Sequence, residues 1–165
     1  MRMSLSIVGA AFAASSCIGF AQVSVRMEPS IQHDLRPMPQ QAGTSAIRNY
    51  LHSWQSLRSA LENNRADLLD TDFVGTARDK LSETIQQQAS HGIHTRYQDR
   101  AHDIQIVFYS PEGLSIELTD KVEYDVEVLD HDKLKTTQHV SARYVIVLTP
   151  AELQWRVRVF QAIPE

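Results

Sequence analysis

Hydrophobic residues recur at two different periods along this 165-residue chain, and the point where the period changes divides it. From Ile47 to Leu61 the large apolar side chains (Ile47, Tyr50, Leu51, Trp54, Leu57 and Leu61) fall on steps of three and four, which gathers them on one face of a helix. Thr44 and Ser45 stand where that helix needs an N-cap. A short helical piece over 66–73 follows, and Thr76 is placed to cap a second helix through Ala77, Leu81, Ile85 and Ala89, with Gly92 to end it. Beyond Gly92 the period falls to two. Ile104, Ile106 and Phe108 alternate with Gln105, Val107 and Tyr109 as far as a turn at Ser110-Pro111-Glu112-Gly113. Leu114, Ile116, Leu118, Val122, Tyr124, Val126 and Val128 then all occupy even positions, so a long strand turns its even side to the helices. One further strand is predicted with Val140, Ala142, Tyr144, Ile146 and Leu148 inward, and a last one with Trp155, Val157 and Val159 inward. The pattern predicts an α+β domain with N-terminal helices packed on a curved, mainly antiparallel sheet.

The odd positions of the long strand carry Glu123, Asp125 and Glu127. A turn at 130–133 sets them opposite Thr137, His139 and Ser141, on a face that also receives Arg156 and Arg158. This reads as a solvated, mixed-charge face. Same-face neighbours on a strand lie about 7 Å apart, too far to share a hard cation without other ligands, so a metal site on Asp125 and His139 is the weaker reading and none is expected. His91, His94 and His102 match no metal-ligand spacing and read as satisfied or exposed. Tyr50 and Trp54 are expected to pack in the core, not to grip a ligand.

Two places break the pattern. Asp120 takes an even, inward position between Leu118 and Val122, with Tyr144 across from it and Tyr124 further along the same face. Facing an apolar cavity, such a carboxylate is equipped as a general acid or base, with a tyrosine hydroxyl to orient a substrate carbonyl. Alternatively Thr119-Asp120-Lys121 forms a bend that leaves Asp120 in water, and the bend is what we expect. The other break is Tyr144 to Leu148, apolar on both faces. Its outward Val145 and Val147, beside Phe160, would suit a second copy of the chain or a partner protein, with Arg156 and Arg158 on the same side.

The start of the chain changes the picture further. Arg2 precedes an uncharged run from Leu5 to Ala21 that ends in small residues, the build of a signal peptide cleaved after Ala21. Lipidation at Cys17 is the less favoured alternative. Cys17 is the only cysteine, so the cleaved protein would hold no disulfide and no thiolate site. Loss of Arg2 leaves 15 basic side chains against 20 acidic ones, a charge of −5 that argues against nucleic acid. Residues 22–44, with Pro29, Pro37 and Pro39, read as a flexible Pro/Gln-rich linker before a single domain over 45–165. The sequence has no GxSxG, HExxH or Gly-rich phosphate loop.

The element order, with a closing strand Leu153-Gln154-Trp155-Arg156-Val157, resembles the NTF2-like superfamily, in which a curved sheet wraps around helices to form a cone. The resemblance is nearest to its non-catalytic extracytoplasmic branches. It implies an exported, periplasmic or extracellular binding or assembly module of the bacterial envelope, without a cofactor or a membrane span after cleavage. Such a module associates through a sheet face with itself or another envelope protein and has room for a small apolar ligand in the cone. The alternative is a small cofactor-free isomerase or dehydratase using Asp120 as base and Tyr124 or Tyr144 as donor.

Overall fold

The computed structural model describes residues 21–27 and 37–163. The expected leader up to residue 20, Cys17 included, lies outside the described residues. The elements are β1 (Gln22–Met27), α1 (Gln40–Asn63), a 3-10 turn (Ala66–Leu69), α2 (Gly75–Ser90), β2 (Ile93–Tyr109), β3 (Ile116–Asp130), β4 (Lys133–Pro150) and β5 (Trp155–Ile163). The five strands form one curved sheet in the order β1-β2-β3-β4-β5, antiparallel except for the β1–β2 pair.

α1 buries Ala46, Ile47, Tyr50, Trp54, Leu57, Ala60 and Leu61 against the sheet, as the spacing predicts. It starts a turn earlier than Thr44: the Pro39 carbonyl accepts from the amides of Ala42 and Gly43, and Gln40, Gln41 and Ala42 are good helix formers. Asn64 ends it in the left-handed region (φ 53°), returning its amide to the Ala60 carbonyl. α2 starts at Gly75, and Thr76 bonds the Arg158 carbonyl instead of capping. Gly92 closes α2 at φ 67°, as expected.

The stretch expected as a linker opens with a strand. β1 lies parallel to β2, with Gln22 opposite Ala101 and Met27 opposite Ile106, and exposes Val23 and Val25.

The even side of β3 meets the helices, and its register with β4 is the one predicted: Glu127, Asp125 and Glu123 face Thr137, His139 and Ser141, and Asp120 faces Tyr144. Departures occur at bulges, where one unpaired residue exchanges the faces of all that follow. Between Ile106 and Phe108 the register shifts, so Phe108 pairs with outward Glu117 and Tyr109 turns to the core. Between Val147 and Leu148 the same shift makes Arg158 the extra residue: Val159 pairs with outward Val147, while Phe160 pairs with buried Ile146. The expected inward Val159 and outward Phe160 are thus exchanged.

This register predicts that Phe160→Ala costs about 2–4 kcal/mol and Val159→Ser less than about 1 kcal/mol in urea unfolding. The reverse ranking would place Phe160 outside the core.

Candidate functional site

The bulge at Arg100 organises the polar interior. Asp99 pairs with Tyr124 and Ala101 with Glu123, so Arg100 is unmatched and both Asp99 and His102 aim at α1. The Trp54 indole N–H donates to Asp99 Oδ1 (2.9 Å) and Arg58 donates to Oδ2 (2.7 Å). One strand further in, β3 passes Asp120 with no bend, and the carboxylate is 0% exposed. The expected bend at Thr119-Asp120-Lys121 is therefore incorrect: Leu118 and Val122 are both fully buried and hold the alternation through Asp120.

Two buried side chains bind that carboxylate. The Tyr50 hydroxyl donates to Oδ2 (2.7 Å), and His102 Nδ1 lies 2.7 Å from the same oxygen. Oδ1 is buried with no hydrogen-bond partner among the described residues. Burial, and then the negative charge of Asp120, push the Tyr50 hydroxyl well above its ordinary pKa, so Tyr50 acts as a donor. Tyr144 does not join Asp120; its hydroxyl meets that of Tyr124 at 3.0 Å. The predicted trio thus separates into an Asp120–His102–Tyr50 cluster and a Tyr124–Tyr144 pair.

Trp54 sits between them. Its ring centroid is 5.2 Å from that of His102, 5.7 Å from Tyr124, 5.8 Å from Tyr144 and 6.0 Å from Phe160. Tyr144 stacks on Phe160 at 4.6 Å, and Tyr97 leans on Tyr124 at 4.8 Å. Aromatic rings thus pack around Trp54 next to the Asp120 cluster. Tyr50 and Trp54 are core residues, as read from the sequence, yet each also binds a carboxylate, and so does buried His102. The sequence signal for these bonds was weak: a histidine and a carboxylate at inward positions on strands that prove to be neighbours.

The other candidates are tied up locally. Asp125 gives one oxygen to Arg100 and the other to His139 (3.1 Å), and the Arg100 contact foremost holds its carboxyl below the usual range. Arg156 lies opposite Thr149, and its guanidinium reaches the carbonyls of Asp70 and Phe73. Arg158 is exposed, and Val145 and Val147 lie half-buried on the outer side. His91 accepts a position at the α2 terminus, 2.7 Å from the Gln87 carbonyl, and His94 lies 3.7 Å from Asp132.

Helices cupped by a five-stranded sheet, with polar side chains buried where they meet, define a cone-shaped α+β domain. Known structures identify it as the NTF2-like fold. The intermembrane-space region of the chloroplast protein ARC6 superposes with a TM-score of 0.65 at 10% identity, over 79% of this chain and 100% of that one. A proposed scytalone dehydratase from Novosphingobium aromaticivorans gives 0.53 at 14% identity, over 76% and 89%. A proposed dehydratase of the NTF2-like family from Streptomyces avermitilis gives 0.53 at 9% identity, over 74% and 98%. No protein-family model and no curated protein sequence matches the chain.

Two measurements test this interior. Asp120→Ala strands His102 and Tyr50 and is expected to cost about 3–5 kcal/mol, against about 0.5 kcal/mol or less for Glu123→Ala; equal losses would mean Asp120 is not enclosed. Burial also pushes Tyr97 up to about 12. A raised pKa gives stability that is complete below the unfolded tyrosine value of about 10 and is lost as pH rises through the folded one. Tyrosinate absorbance should therefore lag at pH 10–11 and then rise together with loss of near-UV circular dichroism.

Proposed function

We propose that this domain is a non-catalytic binding or assembly module that works outside the cytoplasm of a bacterium and associates through the outer face of its sheet. The observation that carries the reading is the enclosure of Asp120. Its carboxylate has no exposed surface and is held by Tyr50 and His102, with Trp54 and Tyr124 packed beside them. A general base must come within about 3 Å of the proton it takes, and this one is surrounded by its own fold. The leader-like residues 1–21 support export. Among the described residues no helix is long and apolar enough to cross a membrane. That a fold neighbour is the intermembrane-space region of ARC6 is in keeping with this reading.

The second reading, a cofactor-free isomerase or dehydratase, is favoured by one observation: Asp120 Oδ1 is buried without a partner. Two of the fold neighbours carry dehydratase names.

Native mass spectrometry of the full chain made in a bacterial host and extracted from the envelope separates the two. A protein beginning at Gln22 without adducts is the expected result. Residues 1–21 retained in a cytoplasmic pool would sink export, and a bound small apolar molecule released by Asp120→Asn would move the assignment to the enzyme.

A further inference from the structure

The helices cover one side of the sheet, and on the other side the strand register gathers a group of charges. Asp103, Lys121 and Arg143 stand side by side on β2, β3 and β4. The adjoining row, about 7 Å along the strands, holds Arg26, Gln105 and Thr119 on β1, β2 and β3. These six side chains line a depression of about 130 Å³.

Its charges do not balance. Lys121 lies directly opposite Arg143, and like charges so placed repel each other. Elsewhere on the sheet cations are matched: Arg100 meets Asp125, and Lys135 meets Asp130. In the depression Asp103 is the one acid, and it lies 4.0 Å from Arg26. Glu123, two residues along β3, does not line the depression, and its charge acts on Arg100. Among the described residues, neither Lys121 nor Arg143 makes an ion pair. Three cations against one carboxylate leave the hollow with a net charge of +2.

The size and the donors of the hollow define what suits it. Its volume equals that of roughly four water molecules, which admits a compact oxyanion but no sugar or base ring. Arg26 starts two strands and one row away from Lys121, so two guanidinium groups approach from different sides, with the ammonium, the Thr119 hydroxyl and the Gln105 amide between them. A phosphate, carrying about −1.5 to −2 near neutral pH, matches the charge, whereas a carboxylate supplies about half of it. Asp103 narrows the choice again. A carboxylate only accepts hydrogen bonds, so it opposes a fully ionised anion such as sulfate and is a partner for a P–OH.

We infer that the hollow between Arg26, Lys121 and Arg143 is a binding site for a phosphate group that retains one proton, with Asp103 accepting from its P–OH. The site goes beyond the assembly reading and does not depend on it.

The test is calorimetric titration of the full chain with sodium phosphate and with sodium sulfate at equal ionic strength and about pH 6.5, close to the second pKa of phosphate. Phosphate should saturate with a Kd of about 0.1–1 mM, and sulfate should bind at least about tenfold more weakly. Lys121→Gln and Arg143→Gln should each weaken phosphate about fivefold or more, without a lower melting temperature, because either change relieves their repulsion. Asp103→Asn should bring phosphate and sulfate within about twofold of each other. Lys135→Gln is the control: it removes a cation about 20 Å from Lys121, beyond the screening length of about 10 Å at 0.1 M salt, and should change phosphate binding less than twofold. No saturation by about 20 mM phosphate, equal affinity for sulfate, or a loss with Lys135→Gln as large as with Lys121→Gln overturns the site. Vesicles of phosphatidylcholine with and without phosphatidic acid identify the source of the group. Sedimentation with the phosphatidic acid vesicles alone, reversed by free phosphate, assigns the site to a lipid headgroup; phosphate binding without sedimentation assigns it to a soluble phosphate.

Discussion

A carboxylate inside an apolar core is tolerable only if other groups bind it, and that requirement ties this fold together. Asp120 on β3 draws Tyr50 from α1 and His102 from β2 to a single oxygen. Asp99 does the same one strand step away, taking Trp54 and Arg58 from successive turns of the same helix. Apolar contact alone would let α1 slide or rotate over a sheet of similar branched side chains; two carboxylates with directional partners fix its height and its rotation. The aromatic rings then pack around a helix already placed.

Much of this was legible in the sequence. The helices, the even-facing β3 and the β3–β4 register all follow from periods of 3.6 and 2 together with the turn at 130–133. The faces of β2 and β5 were not, because alternation is read by counting and a bulge silently adds one. Nothing in Arg100, Val107 or Arg158 distinguishes an extra residue from an ordinary outward one. Each such residue hides a reversal, which is why Phe108, Val159 and Phe160 were assigned to the wrong sides. Asp120 was misread for a different reason. An isolated inward carboxylate between Leu118 and Val122 looks too costly to keep, and its two hydrogen-bond partners lie 70 and 18 residues away in sequence. β1 was concealed by the prolines that follow it.

The two sides of the sheet divide the work. The concave side is tied up largely by folding: Asp120 and Asp99 bind side chains of α1 and β2, and aromatic rings pack around Trp54. The convex side mixes acids and bases along its rows, with Asp125 paired to Arg100 and His139 and Asp103 beside Lys121. The same fold occurs in a dehydratase-named protein and in the intermembrane-space region of ARC6.

The short strand β1 bears on how the molecule reaches this state. It is nearly the first part of the described chain, yet its only neighbour in the sheet is β2, so Gln22 must find Ala101 across most of the two helices. Closing a loop of that length carries an entropic cost that the β1–β2 hydrogen bonds must offset. Until β1 arrives, the amides and carbonyls of β2 along Ala101–Ile106 form an open edge, the kind to which a second unfolded chain can attach. β1 therefore seals that edge: with it in place, the amides and carbonyls of β2 along 101–106 are covered and the border of the sheet is a six-residue strand.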